Sequence, residues 1–215
     1  MPPGLTRRYD RGELIADGMV HAIGLAFALA GSAFLLGRAG ELTNTFESAS
    51  LCIYCLALVA MLAFSGAYNL WPPGRRKWAL RRCDQSSIYV LIAATPMPFA
   101  VHAGAEAVSN GPLLALWVLA LIGVGSKLCS ELSFDPLAVV PYVVLALSAI
   151  VGFVPVWSRI PASATCLVLI GALLYLAGTI FYLWERLRFH SAIWHCFVLA
   201  GAACHYLAIL DCTAS

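Results

Sequence analysis

The stretch Gly18-Met-Val-His-Ala-Ile-Gly-Leu-Ala-Phe-Ala-Leu-Ala-Gly-Ser-Ala-Phe-Leu-Leu-Gly37 decides the fold. Its one ionisable side chain is His21, and about 20 residues of helix span a hydrocarbon core of ~30 Å. The run is longer than the apolar core of a signal peptide, and more runs of the same kind follow it. It therefore reads as a retained membrane helix. The residues ahead of it, MPPGLTRRYDRGELIADG, mix charges and contain no apolar core.

Working outward, six further apolar stretches cover roughly 49–70, 86–104, 112–130, 137–157, 162–184 and 191–210. Polar punctuation separates them at Arg38–Glu47, Trp71–Asp84, Ser109–Pro112, Glu131–Pro136, Arg159–Pro161 and Arg186–His190. These connections are too short for a second domain. Of 215 residues, 61% are apolar and 11% charged, against about 25% charged in a soluble chain. One soluble core could not hide that much apolar surface. The expected fold is all-α: an integral bundle of seven transmembrane helices (18–210), a cytoplasmic segment (1–17) and a short exterior tail (211–215). A net charge of +2 makes no case for nucleic acid.

Lysines and arginines set the orientation, because cytoplasmic loops collect them. With the N-terminus inside, Arg7, Arg8, Arg11, Arg75, Arg76, Lys77, Arg81, Arg82, Lys127, Arg186 and Arg188 face inward, and Arg38 and Arg159 face outward. That bias predicts the N-terminus inside and the C-terminus outside. Trp71, Trp78, Trp157 and Trp184 fall near span ends, where an amphipathic ring sits well. Cys52, Cys55, Cys166, Cys196 and Cys204 lie in apolar stretches and act as small hydrophobes. Cys52 and Cys55 have redox spacing but lack the βαβ context of a redox motif.

The topology then asks which polar residues share a depth. Glu13, Asp17 and His21 recur every four residues and form one stripe as the first span opens. A carboxylate there would favour the imidazolium or orient the ring. Ser65 and Asn69, also four apart, close the second span, with Tyr68 between them. Cys83, Asp84 and Gln85 open the third, and His190, Ser191 and His195 open the seventh. All lie near the inner boundary, where ionisable groups usually face protein or water. Simpler readings exist for each. The basic stretch Arg75–Arg82 is first a topology determinant that also meets anionic headgroups. His21 and His205 can satisfy neighbouring helices, and Ser65 can bond back to its own helix. Pro96 and Pro98 should distort the third span, and Pro141 and Pro155 the ends of the fifth.

Four motifs in order carry a resemblance: Glu13-Leu-Ile-Ala-Asp-Gly-Met-Val-His21, Ser65-Gly-Ala-Tyr68-Asn69, Arg81-Arg-Cys-Asp84-Gln-Ser-Ser-Ile-Tyr89 and Ala192-Ile-Trp-His195. From about Tyr9 to Leu210 the chain resembles the hemolysin III family, the bacterial branch of the progestin and adipoQ receptor group of seven-helix membrane proteins. The resemblance implies a zinc site near the inner face, held by three histidines with an aspartate and a serine close by. Three histidines and a water make an open site able to generate hydroxide, suited to a lipid amide.

At the ligand positions themselves the sequence departs from that pattern. Asn69 follows Tyr68, Ser191 stands four before His195, and Asp84 is followed by Gln85. Of the three histidines His195 alone remains; His190, about 140° away around the helix, does not replace an i,i+4 clamp, and His21, Asp17, Cys83 or Asp84 are the candidate substitutes. Zinc is the implied cofactor, and these departures weigh against a tight site of that kind. The first expectation is a bacterial inner-membrane protein acting in lipid homeostasis through a pocket of Glu13, Asp17, His21, Asn69 and Ser191. The family name also implies cytolysis. A second is a metal-dependent hydrolase of lipid amides, with His195 as ligand, Asp84 as base or water-orienter and Ser65 as transition-state hydrogen-bond donor. A third is a channel or lipid sensor. Membrane lipids are the expected partners in each.

Overall fold

The computed structural model describes residues 9–39, 44–104, 110–129 and 139–214. Among them, all regular structure is helical: α1 (Arg11–Ala39), α2 (Thr45–Leu70), α3 (Arg75–Ala94), α4 (Met97–His102), α5 (Asn110–Cys129), α6 (Val140–Gly152), α7 (Val154–Trp157), α8 (Ala162–Leu183) and α9 (His190–Ala214). Arg7, Arg8, Ser109, the Glu131–Pro136 connection and Ser215 lie outside the described residues.

Two of the expected spans are broken rather than bent. Residues 86–104 divide into the end of α3 and the short α4, with Thr95 and Pro96 between them. Proline has no N–H to donate and disfavours helix at the residue before it. Residues 137–157 divide at Phe153, two residues before Pro155, for the same reason. The basic stretch after Trp71 also differs from its reading as a loop: only residues 71–74 are non-helical, and Arg75–Asp84 are the opening turns of α3. Arg, Lys, Ala and Leu are good helix formers, and the breakers Pro72, Pro73 and Gly74 precede them.

Among the described residues, five helices are long and apolar enough to cross a bilayer: Arg11–Arg38, Thr45–Leu70, Gly111–Cys129, Ala162–Leu183 and His190–Thr213, with Val140–Gly152 a shorter apolar helix. The surface supports the same conclusion. Phe27, Leu56, Val151, Leu173 and Ile180 are all more than 60% exposed, whereas Glu13, Asp17, His21, Ser65, Arg81, His190 and His195 are buried. Water would penalise that outside, and lipid suits it. The chain is an integral membrane protein.

Buried positions on α2 recur as Leu51, Tyr54/Cys55, Leu58, Met61/Leu62 and Ser65/Gly66, a helical stripe that ends on polar residues. The α2 helix packs against α1 and α3, α3 against α5 and α6, and α9 against α1 and α8. The apolar core lies at the far end of the bundle, where Leu35, Leu51, Phe99, Phe153, Val156, Ala208 and Ile209 are almost fully buried. The near end, where α1 and α9 begin and α2 finishes, holds the polar residues.

Candidate functional site

Capping of α1 fixes the near end. The Asp10 carboxylate accepts from Glu13 N at 2.8 Å, and Glu13 accepts from Asp10 N at 3.0 Å, a reciprocal capping box. Glu13 also accepts from Phe189 N at 3.2 Å. Phe189 adopts φ 61°, a left-handed conformation in the turn that opens α9. Glu13 thus ties the start of α1 to the start of α9, reinforced by Arg188 on Asp10 at 3.2 Å. The Glu13 N–H, then Arg188, hold the Asp10 carboxyl below its ordinary value.

One helical turn further in, the Asp17 carboxylate accepts from His195 Nδ1 at 2.7 Å and from Ser191 Oγ at 3.3 Å. A carboxylate accepts only, so His195 Nδ1 carries a proton, and in the neutral ring Nε2 then carries a lone pair. His21 Nδ1 donates to the Asp17 backbone carbonyl at 2.8 Å, which in the neutral ring leaves its Nε2 bare as well. Both Nε2 atoms face Ser65 Oγ, His21 at 3.2 Å and His195 at 3.4 Å. The two rings meet edge to face, 4.3 Å between centroids. Asn69 Nδ2 donates to the Ser65 carbonyl at 2.9 Å and lies 3.5 Å from His195 Nε2. Gly66 lets α1 approach: a Cβ there would stand 3.3 Å from the His21 ring.

The structure therefore brings together Asp17, His21, Ser65, Asn69, Ser191 and His195 from three helices. Asp84 on α3 is half-buried and makes no side-chain hydrogen bond to this group among the described residues. Glu13 stands apart as a tether. His190 stacks on Tyr9, 6.1 Å between centroids, and His205 bonds to the Val168 carbonyl at 3.1 Å, a structural role. The sequence placed Asp17 beside His21, but the carboxylate orients His195 instead, its nearest approach to His21 Nδ1 being 3.7 Å. Sequence reasoning missed Lys77, which caps α2 through the carbonyls of Asn69 (3.2 Å) and Trp71 (2.9 Å). Only its place in a basic stretch signalled it. A small cleft lined by Tyr9, Glu13, Leu14, Asp17, Asn69, Phe189 and Ser191 abuts the group, with room for about one water.

The zinc implied by the resemblance can be tested against this geometry. Among the described residues, Asp17, His21 and His195 form the one group of metal-capable side chains, their ligand atoms within 4.8 Å of one another. Ligands of a tetrahedral zinc, each ~2.0–2.1 Å from the ion, stand about 3.3 Å apart. Asp17 Oδ1 and His195 Nδ1, at 2.7 Å, share a proton, which leaves His195 only Nε2 to offer an ion. With Asn69 and Ser191 at the other two positions, the residues do not fit a three-histidine zinc centre. The arrangement is a hydrogen-bonded relay.

The fold and site define a helical integral membrane protein with a buried histidine–carboxylate–hydroxyl cluster at one end. The haemolysin-III related family matches residues 14–206, and the chain belongs to that family. It is 30% identical over 198 residues to the hemolysin-3 homolog of Bacillus subtilis (strain 168), covering 92% of this chain and 93% of that protein. Hemolysin-3 of Bacillus cereus is 28% identical, over 92% and 90% of the two chains. The human monocyte to macrophage differentiation factor is 28% identical, over 92% and 83%.

Proposed function

We propose that the chain crosses a bacterial inner membrane seven times, N-terminus inside and C-terminus outside. In this reading residues 1–17 are cytoplasmic, 18–210 form the bundle and 211–215 lie outside. The broken pairs α3–α4 and α6–α7 each serve as one span. It acts in membrane lipid homeostasis by binding lipid at the polar pocket near the inner face. The observation that carries this is the buried Asp17–His195 pair. Ionisable groups at membrane depth are rare and mark functional sites. Arg11, Arg75, Arg76, Lys77, Arg186 and Arg188 belong to the same end of the bundle, as an inner-face site requires.

The test is thermal unfolding of the purified chain reconstituted with single lipid classes. One class should raise the midpoint as its fraction grows, since a ligand of the folded state stabilises it by mass action. Widening Ala192, which lines the cleft, to Phe should blunt the shift. Equal midpoints in every lipid class would exclude the reading.

A further inference from the structure

The geometry points to Ser65, His195 and Asp17 as a metal-independent acyl-transfer triad that cleaves a carboxylic ester of a membrane lipid. This deepens the lipid-binding reading and rests on it for its substrate. The order of contacts is that of a nucleophile, a base and an orienting acid: Ser65 Oγ to His195 Nε2 at 3.4 Å, and His195 Nδ1 to Asp17 Oδ1 at 2.7 Å. Such a constellation is recognised by geometry and roles, not by fold or chain order. Without bound substrate, a nucleophile–base distance of this length is common.

Two imidazoles face Ser65, and their second contacts separate them. His21 is tied through Nδ1 to a neutral carbonyl, whereas His195 is tied to a carboxylate. The imidazolium formed by proton transfer is stabilised beside the carboxylate, so His195 is the base. His21 is a positioning residue: its Nε2, 3.2 Å from Ser65 Oγ, is the second acceptor toward which the single hydroxyl proton can rotate. Ser191 Oγ, donating to the same Asp17 oxygen, keeps that carboxylate aimed. Asn69 Nδ2 donates one hydrogen to the Ser65 carbonyl at 2.9 Å and, 3.5 Å from His195 Nε2, has the other for the oxyanion. The replacements that remove two metal ligands thus supply both a second hydrogen bond to the acid and an oxyanion donor.

The reaction balances with water alone as co-reactant. Ser65 Oγ bonds to the ester carbonyl carbon while its proton passes to His195 Nε2. The carbon–oxygen bond to the alcohol then breaks, and the same proton leaves with the alcohol. Water, deprotonated by His195, attacks the acyl-Ser65 ester; the fatty acid departs and Ser65 regains its proton. Ser65, His195 and Asp17 are each less than a tenth exposed, beneath helices with apolar outer faces. An ester at the interfacial depth of a bilayer is the carbonyl compound best placed to reach them.

The probe is a fluorophosphonate applied to the full chain in detergent and in native vesicles, with adducts mapped by mass spectrometry. Expected is an adduct on Ser65 that a chelator does not diminish. It should be absent in Ser65→Ala and slowed about 10³–10⁴-fold in His195→Gln and in the isosteric Asp17→Asn. Melting curves of Asp17→Asn within a few degrees of the parent would assign that slowing to tautomer and orientation rather than to unfolding. Turnover of a p-nitrophenyl fatty ester should fall in parallel. The triad is overturned if the folded parent gives no Ser65 adduct, if labelling is indifferent to His195 and Asp17, or if it requires added zinc. Lipid-dependent stabilisation persisting in an unlabelled parent would sink the triad alone. Its absence in a labelled parent would sink the lipid reading alone.

Discussion

Asp17 connects three helices with one side chain and its own carbonyl: Ser191 and His195 on its carboxylate, His21 on its backbone, and through both rings Ser65. Four residues earlier, Glu13 does the same for the backbone of the turn ahead of α9. Glu13→Ala leaves the N–H groups of Asp10 and Phe189 without their acceptor. A lost buried hydrogen bond of this kind costs about 1–3 kcal/mol, so the midpoint of thermal unfolding should fall, with Glu13→Gln falling less. Asp10 permits a pH prediction. Its carboxyl is held below the ordinary value of 3.8, so its contribution is present above that value and is lost as pH falls beneath it. Exchange of the first-turn amides of α1 should therefore quicken, relative to the rest of the helix, only at pH below that range. Asp10→Asn should remove the difference.

At the scale of elements, close approach between helices decides the packing. Gly171 and Gly201 bring α8 and α9 together; a Cβ on Gly171 would stand 2.4 Å from His205 Cδ2 and 3.0 Å from the Gly201 carbonyl oxygen. Gly171→Ala must displace a ring that bonds Val168, and overpacking of this kind costs about 1–3 kcal/mol. Gly125→Ala, inside α5, meets nothing within 4 Å and should leave the melting midpoint equal or slightly raised, which makes it the control. The element boundaries were legible only in part. Proline placed the breaks at Pro96 and near Pro155, because a missing N–H is a local property. The helical start at Arg75 was hidden because charge suggested a loop, although those side chains favour helix. The site was legible as a set of polar residues at one depth, including the i,i+4 pairs Asp17/His21 and Ser65/Asn69. Which ring Asp17 would orient was not, since its 2.7 Å partner lies on a helix 178 residues away.

For the molecule as a whole, the charge distribution makes the strongest forecast. A reporter fused after Ala214 should be exterior, and one placed after Lys127, at the end of α5, should be interior. The opposite result at either position would remove the proposed topology. The removal of two expected zinc ligands makes the further prediction that protein purified without chelator carries no stoichiometric zinc by elemental mass spectrometry. A zinc dependent on His195 would mean that the hydrogen-bonded relay rearranges around an ion.

Composition and spacing by themselves determined that this chain enters a membrane as helices, because transfer of apolar residues into lipid depends on local content and length. They also placed the buried ionisable residues Glu13, Asp17, His21 and His195 near span ends, because a charge far from a span boundary is costly wherever the helix packs. Tertiary structure alone decided which of those residues meet. The direction of a hydrogen bond from His195 to Asp17 rather than from His21 depends on the rotation and separation of α1, α2 and α9, and those are set by Gly66, by the Glu13 tether and by packing along the whole length of three helices.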